Sequence, residues 1–206
     1  MITRSERRGR STRWFLLAAA VAAGAGTVAV LVAGGSAGRS QASAGRFPDL
    51  TAGPPPASWP SARLLDGEGV LAYPPSMRRI AGDAGSVSAA RFSPSGSYLL
   101  YLNATPREGT EGLRTWPQFR LRLLRSDEAS AAHEISAADN VRFRGGTGSC
   151  VLDSYVTKIG AHHYDELACY VQGRSSASVV VAAAPVDHWG VSAALLERAV
   201  AAYQVR

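Results

Sequence analysis

From residue 14 to residue 34 the chain carries no charged side chain, and large apolar residues recur: Trp14, Phe15, Leu16, Leu17, Val21, Val28, Val30, Leu31 and Val32. A helix of about this length reaches about 30 Å, the thickness of a bilayer's hydrocarbon. The apolar pattern then lapses. Residues 35–62 are rich in Gly, Ser, Ala and Pro, including Pro54-Pro55-Pro56. They read as a spacer, flexible at first and stiffer near the prolines. The folded domain is expected over residues 63–206, a length sufficient for one core.

Within that domain, Ser97 to Ala104 reads as a strand, with the turn Ser93-Pro94-Ser95-Gly96 before it. The run RFSPSGSYLLYL has the look of one strand-turn-strand element of a β-propeller blade. It occurs once, and a propeller needs several blades, so the turn is read as an ordinary one. Thr115-Trp116-Pro117-Gln118 has the order of a helix start, with Thr115 as N-cap. Trp116, Phe119 and Leu123 would then face the core, with the helix ending around Ser126 to Ala129.

Val141 to Arg144 predicts a short strand. Cys150 to Ile159 and Tyr164 to Gln172 predict an antiparallel hairpin. Cys150, Leu152 and Val156 alternate onto one face of its first strand, and Leu167, Cys169 and Val171 onto one face of its second. Ser178 to Ala184 reads as a buried strand that Pro185 ends. A last helix begins at Asp187 or Gly190 and runs to Tyr203, with Leu196, Val200 and Tyr203 on one stripe. Consecutive strands flanked by helices predict an α+β fold, an antiparallel sheet with packed helices, preceded by one N-terminal transmembrane helix.

Charge sharpens this picture. The chain has 22 basic and 16 acidic side chains, a net +6. Arg4, Arg7, Arg8, Arg10 and Arg13 crowd residues 1–13 against Glu6 alone, which leaves only +2 for the rest. A nucleic-acid partner would need its basic stripe on the domain, so none is expected. Arginines ahead of an apolar stretch place the N-terminus in the cytoplasm and the domain outside. Residues 14–34 are thus read as a signal anchor in the cytoplasmic membrane. The alternative is secretion after cleavage near Ala44, in Ala42-Ser43-Ala44. No cysteine follows directly after the apolar run, which excludes a lipoprotein anchor.

Candidate chemistry is sparse. Outside the cytoplasm disulfides persist, and Cys150 and Cys169 both fall on apolar strand faces, so they are expected to pair. The loop Gly145-Gly146-Thr147-Gly148 leads into a strand and holds no lysine, which makes it a strand connection rather than a phosphate cradle. Asp153, His162, His163 and Asp165 supply metal-ligand chemistry, although adjacent histidines generally point apart. Arg114, Arg120, Arg122 and Arg125 could form a basic helix face toward anionic lipid or a cell-wall polymer. No catalytic constellation, resident metal or cofactor is expected.

From Tyr98 onward the chain resembles a family of exported actinobacterial proteins. The stretches that carry the likeness are YLLYLNATP, TWPQFRL, VRFRGGTGSCVLDSYVTKIGAHHYDELACYVQG and SVVVAAAP, about 100 residues in all. GTGSCV-x-D-x-Y-x-T and the second cysteine are the most specific parts. The resemblance implies an architecture similar to the PsbP-like α/β/α sandwich, shared by extrinsic photosystem proteins, Mog proteins and some mycobacterial secreted proteins. It implies binding or assembly and supplies no catalytic residues. The expected function is therefore an anchored, non-enzymatic binding module facing an envelope protein or cell-wall ligand. An envelope hydrolase or metal enzyme using His162, His163 and Asp165, and a short-tailed transmembrane sensor, are the alternatives.

Overall fold

The computed structural model describes residues 46–206, apart from residues 66 and 108. The cytoplasmic segment, the transmembrane stretch 14–34, the cleavage site at Ala44 and spacer residues 35–45 lie outside the described residues. No helix among the described residues is long and apolar enough to cross a membrane.

Among the described residues, ten strands and two α-helices build an α+β fold. In chain order they are β1 (Ser61–Arg63), β2 (Gly69–Ala72), β3 (Arg78–Ile80), β4 (Val87–Phe92), β5 (Tyr98–Pro106), α1 (Trp116–Leu123), β6 (Ala129–Phe143), β7 (Gly146–Thr157), β8 (His163–Gly173), β9 (Ala177–Pro185), α2 (Val186–Ala201) and β10 (Gln204–Val205). Seven strands form one antiparallel sheet in the order β3-β4-β5-β9-β8-β7-β6. A second antiparallel sheet joins β1, β2 and β10.

α2 covers one face of the large sheet over β9, β8 and β5. Leu196, Ala199 and Val200 share its inner stripe and, with Tyr203 just past its end, are fully buried. They pack on Leu102, Leu167, Val180 and Ala182. α1 covers the opposite face over β6, β7 and β8. There Trp116 packs on Val151, Ala168, Tyr170, Val179 and Val181. Alternation along each strand serves both faces, so the middle of β8, Glu166 to Val171, and nearly all of β9 are buried.

Three expectations are corrected. The first concerns the spacer: Phe47, Leu50, Trp59 and Ala62 pack against the α2-side core, so residues from 46 onward lie on the domain. The second concerns α1. Its buried residues are Trp116, Pro117, Arg120 and Leu121, while Phe119 and Leu123 are only half-buried. Thr115 makes no side-chain cap, and the helix passes into a π turn, Leu124–Glu128. The third concerns the strand expected at 141–144, which is the end of the 15-residue β6.

The glycine run has a packing reason. Gly145 adopts φ +88°, and a side chain there would collide with the carbonyl oxygen of Val205. The backbone of β10 crosses the β6–β7 turn, where the Val205 amide donates to Arg144 O at 3.0 Å. Only glycine admits both the positive φ and that approach.

Candidate functional site

α1 is pinned to the sheet before its charged residues are placed. The Trp116 indole Nε1 donates to the carbonyl oxygen of Ala168 on β8 at 2.9 Å. One helical turn later, Arg120 falls on the same helix face. Its guanidinium reaches β8, where Nε donates to Glu166 Oε1 at 2.6 Å and Nη2 to Oε2 at 2.9 Å. A second carboxylate, Glu128 at the end of the π turn, stands 3.8 Å from Nη2.

A third carboxyl lies alongside. Asp153 of β7 is the direct cross-strand partner of Glu166. Successive partners extend the row across all seven strands: Arg78, Ala90, Tyr101, Ala183, Glu166, Asp153 and Glu134. Asp153, Glu166 and Arg120 are 0, 2 and 5% exposed, so the cluster is sealed beneath α1. Neither oxygen of Asp153 has a hydrogen-bond partner, nor does Glu128 Oε2.

One guanidinium thus serves three buried carboxyls. Burial pushes the Asp153 carboxyl well above the usual range and the Glu166 charge pushes it further, while Arg120 opposes both. Glu128 is raised in the same way, by burial first. For Arg120, burial lowers the pKa, but the charges of Glu166 and Glu128 more than offset that, and the net direction is upward. Arg120 and Glu166 are the bonded ion pair, and the environment favours the neutral acid at Asp153.

Tyrosines border the cluster. Tyr155 follows Asp153 on the same face, and its phenol is raised well above its ordinary value by burial and by Glu166. It stacks on Tyr164 with centroids 5.7 Å apart. Tyr101, on β5, is pushed up to about 12, mainly by burial, while Ser88 offers it a hydrogen bond that acts in the other direction.

The structure separates the residues expected to ligate metal. His162 and His163 are exposed at the β7–β8 turn. Asp165 lies on the opposite sheet face from Asp153, where burial raises its carboxyl while Ser154 and His133 lower it. No group of three or more His, Cys, Asp or Glu suited to a metal occurs among the described residues. The basic helix face is corrected as well. Arg114, Arg122 and Arg125 are exposed, but Arg120 is buried, and Arg125 donates to the Ala132 carbonyl on β6 at 2.7 and 3.1 Å. Cys150 and Cys169 form a disulfide between directly opposed residues, with Cα atoms 4.1 Å apart.

The sequence offered Glu166 only as a possible metal ligand in the run 162–166, and showed neither its pairing with Arg120 nor Glu128 beside it. One signal was available: Arg120 stands four residues after Trp116, a spacing that puts both on one helix face.

No protein-family model matches the sequence, and no curated protein does. The fold is similar to that of cyanobacterial PsbP (CyanoP) from Synechocystis, with 14% identity, a TM-score of 0.47, and coverage of 73% of this chain and 94% of that one. It is also similar to LpqN of Mycobacterium tuberculosis, a protein involved in cell envelope biogenesis. That match has 13% identity, a TM-score of 0.45, and covers 71% and 90% of the two chains. A Pseudomonas aeruginosa protein of unknown function matches at 6% identity and a TM-score of 0.41, over 69% of this chain and 94% of that one.

Proposed function

We propose that the chain is a membrane-anchored binding module held on the outer side of the cytoplasmic membrane. The observation that carries this reading is the buried Cys150–Cys169 disulfide. Such a bond forms and persists in an oxidising compartment. The arginine-led apolar stretch 14–34 supports the same compartment, because it matches a signal anchor with its N-terminus inside. The placement of the ionisable groups favours binding over catalysis. Asp153, Glu166 and Arg120 are sealed under α1, and the exposed histidines face none of them.

The test is export and redox state of the full chain in a bacterial host. Carbonate-washed membranes should retain it, and protease added to spheroplasts should digest the domain. Alkylation should add no group before reduction and two after. Retention in the cytosol, or both thiols reacting without reduction, would overturn the reading.

A further inference from the structure

α1 packs over β6, β7 and β8, and beyond it the same sheet face carries aromatic side chains on β4 and β5. Phe92 of β4, Tyr98 and Tyr101 of β5 and Tyr164 of β8 are all half-buried there. Phe92 and Tyr98 have ring centroids 4.8 Å apart, and Tyr98 and Tyr101 5.8 Å. Tyr164 lies two residues from Glu166 on β8, on the sheet face that Tyr101 shares through the row Tyr101–Ala183–Glu166, and its ring stacks on Tyr155 at the edge of α1's cover. Under α1 the rings of Trp116 and Tyr170 are each 1% exposed, so the half-buried rings mark where cover ends. At the margin, exposed Arg78 lies over Phe92, 4.9 Å from its centroid. Arg78 has no carboxylate partner among the described residues.

We propose that this platform of Phe92, Tyr98, Tyr101 and Tyr164, with Arg78 at its rim, binds an acidic polysaccharide of the envelope. The proposal rests on the binding-module reading and gives it a site and a ligand class. Pyranose rings present C–H faces that pack on aromatic faces, and their equatorial hydroxyls meet the polar tips that tyrosines carry. An unpaired guanidinium supplies a planar fork for a sugar carboxylate. Charge complementarity therefore selects an anionic ring-bearing ligand over a neutral lipid. The rings stand on strands of one hydrogen-bonded sheet, so little ordering is needed on binding.

The full chain is titrated calorimetrically with hyaluronan hexasaccharide and hexagalacturonate, with chitohexaose as the neutral comparison and polyglutamate as the non-sugar polyanion. At least one acidic sugar should bind in preference to both comparisons. Tyr98→Ala and Tyr164→Ala should each weaken binding about tenfold, and Tyr164→Phe should retain it. Arg78→Gln should abolish the preference over chitohexaose. Unchanged near-ultraviolet circular dichroism establishes that each variant is folded.

Binding of neither acidic sugar, or equal binding of polyglutamate, overturns the proposal. So does a dimer in sedimentation that Tyr98→Ala dissolves, since a second copy would then own the face. Retention on detergent-washed cell walls separates the two readings. If the Tyr98→Ala/Tyr164→Ala chain is retained like the wild type, the platform falls and the module stands. If neither chain is retained, both fall.

Discussion

Asp153 and Glu166 face each other across β7 and β8, and only Glu166 holds the Arg120 guanidinium. That asymmetry sets the pH behaviour of the domain. Folding raises the Asp153 carboxyl above its unfolded value, about 3.9, through burial first and Glu166 second. Between the unfolded and folded values the native state binds the extra proton. The contribution of Asp153 is thus fully present below about pH 3.9 and is lost as pH rises through the folded value, with a slope of at most about 1.4 kcal/mol per pH unit. Asp153→Asn cannot ionise. Urea unfolding at a series of pH values should show the variant gaining on the wild type as pH rises. Parallel stability curves would show that Asp153 does not titrate in this way.

The ion pair predicts a different response. Arg120→Met leaves Glu166 buried without its guanidinium, which should cost about 3–5 kcal/mol. Arg120→Met combined with Glu166→Leu replaces the bonded pair by apolar groups and should recover part of that loss, the remainder reflecting Glu128, which also loses the guanidinium beside it. A double-mutant cycle in urea measures both numbers. Additive losses would mean that the pair is not coupled.

These charges also mark where the sequence stopped being readable. The hairpin of β7 and β8, the apolar stripe of α2 and the cysteine pairing were legible because alternation and helical spacing report which side chains share a face. Those patterns report apolar faces. Glu166 stands between Asp165 and Leu167 on a strand buried on both sides, and a carboxylate there reads as solvent-facing until its partner is known. Arg120 reads the same way, although it lies one turn from Trp116. β6 was missed for another reason. Its run SAAHEISAADN is poor in β-branched and aromatic residues, as an edge strand pairing only with β7 can be. Three register shifts and Asn140 at φ 58° interrupt its alternation. β1, β2 and β10 are too short for any period to show.

The disulfide closes a loop of sequence separation 19 between the two central cysteines. Constraining the unfolded chain in this way should stabilise the domain by about 3 kcal/mol. Cys150→Ala/Cys169→Ala should therefore unfold at lower urea, with the wild type falling to a similar midpoint under strong reductant. Both alanines would also leave a small void, since both positions are fully buried. If the double variant matches the oxidised wild type, the bond adds nothing to stability.

Gly145 controls the C-terminal strand. Its φ of +88° is one that an L side chain adopts at a cost of roughly 1–2 kcal/mol. A methyl group there would in addition meet the Val205 carbonyl oxygen, so β10 would have to shift. That strand pairs with β2 over only two residues, Gln204 and Val205, and is otherwise held by Val205 N to Arg144 O at 3.0 Å, Arg206 N to Glu68 O at 3.0 Å, and Ser176 Oγ to Arg206 O at 2.5 Å. Tyr203 just ahead of it is fixed independently, its hydroxyl 2.7 Å from Ser178 Oγ in the core. Gly145→Ala should therefore release residues 204–206 while leaving α2 docked. Hydrogen exchange would show lost protection at the amides of Val205 and Arg206, with the amides of Ala199 to Ala201 unchanged. Protection retained at Val205 would mean that the β6–β7 turn, rather than β10, gives way to the added methyl.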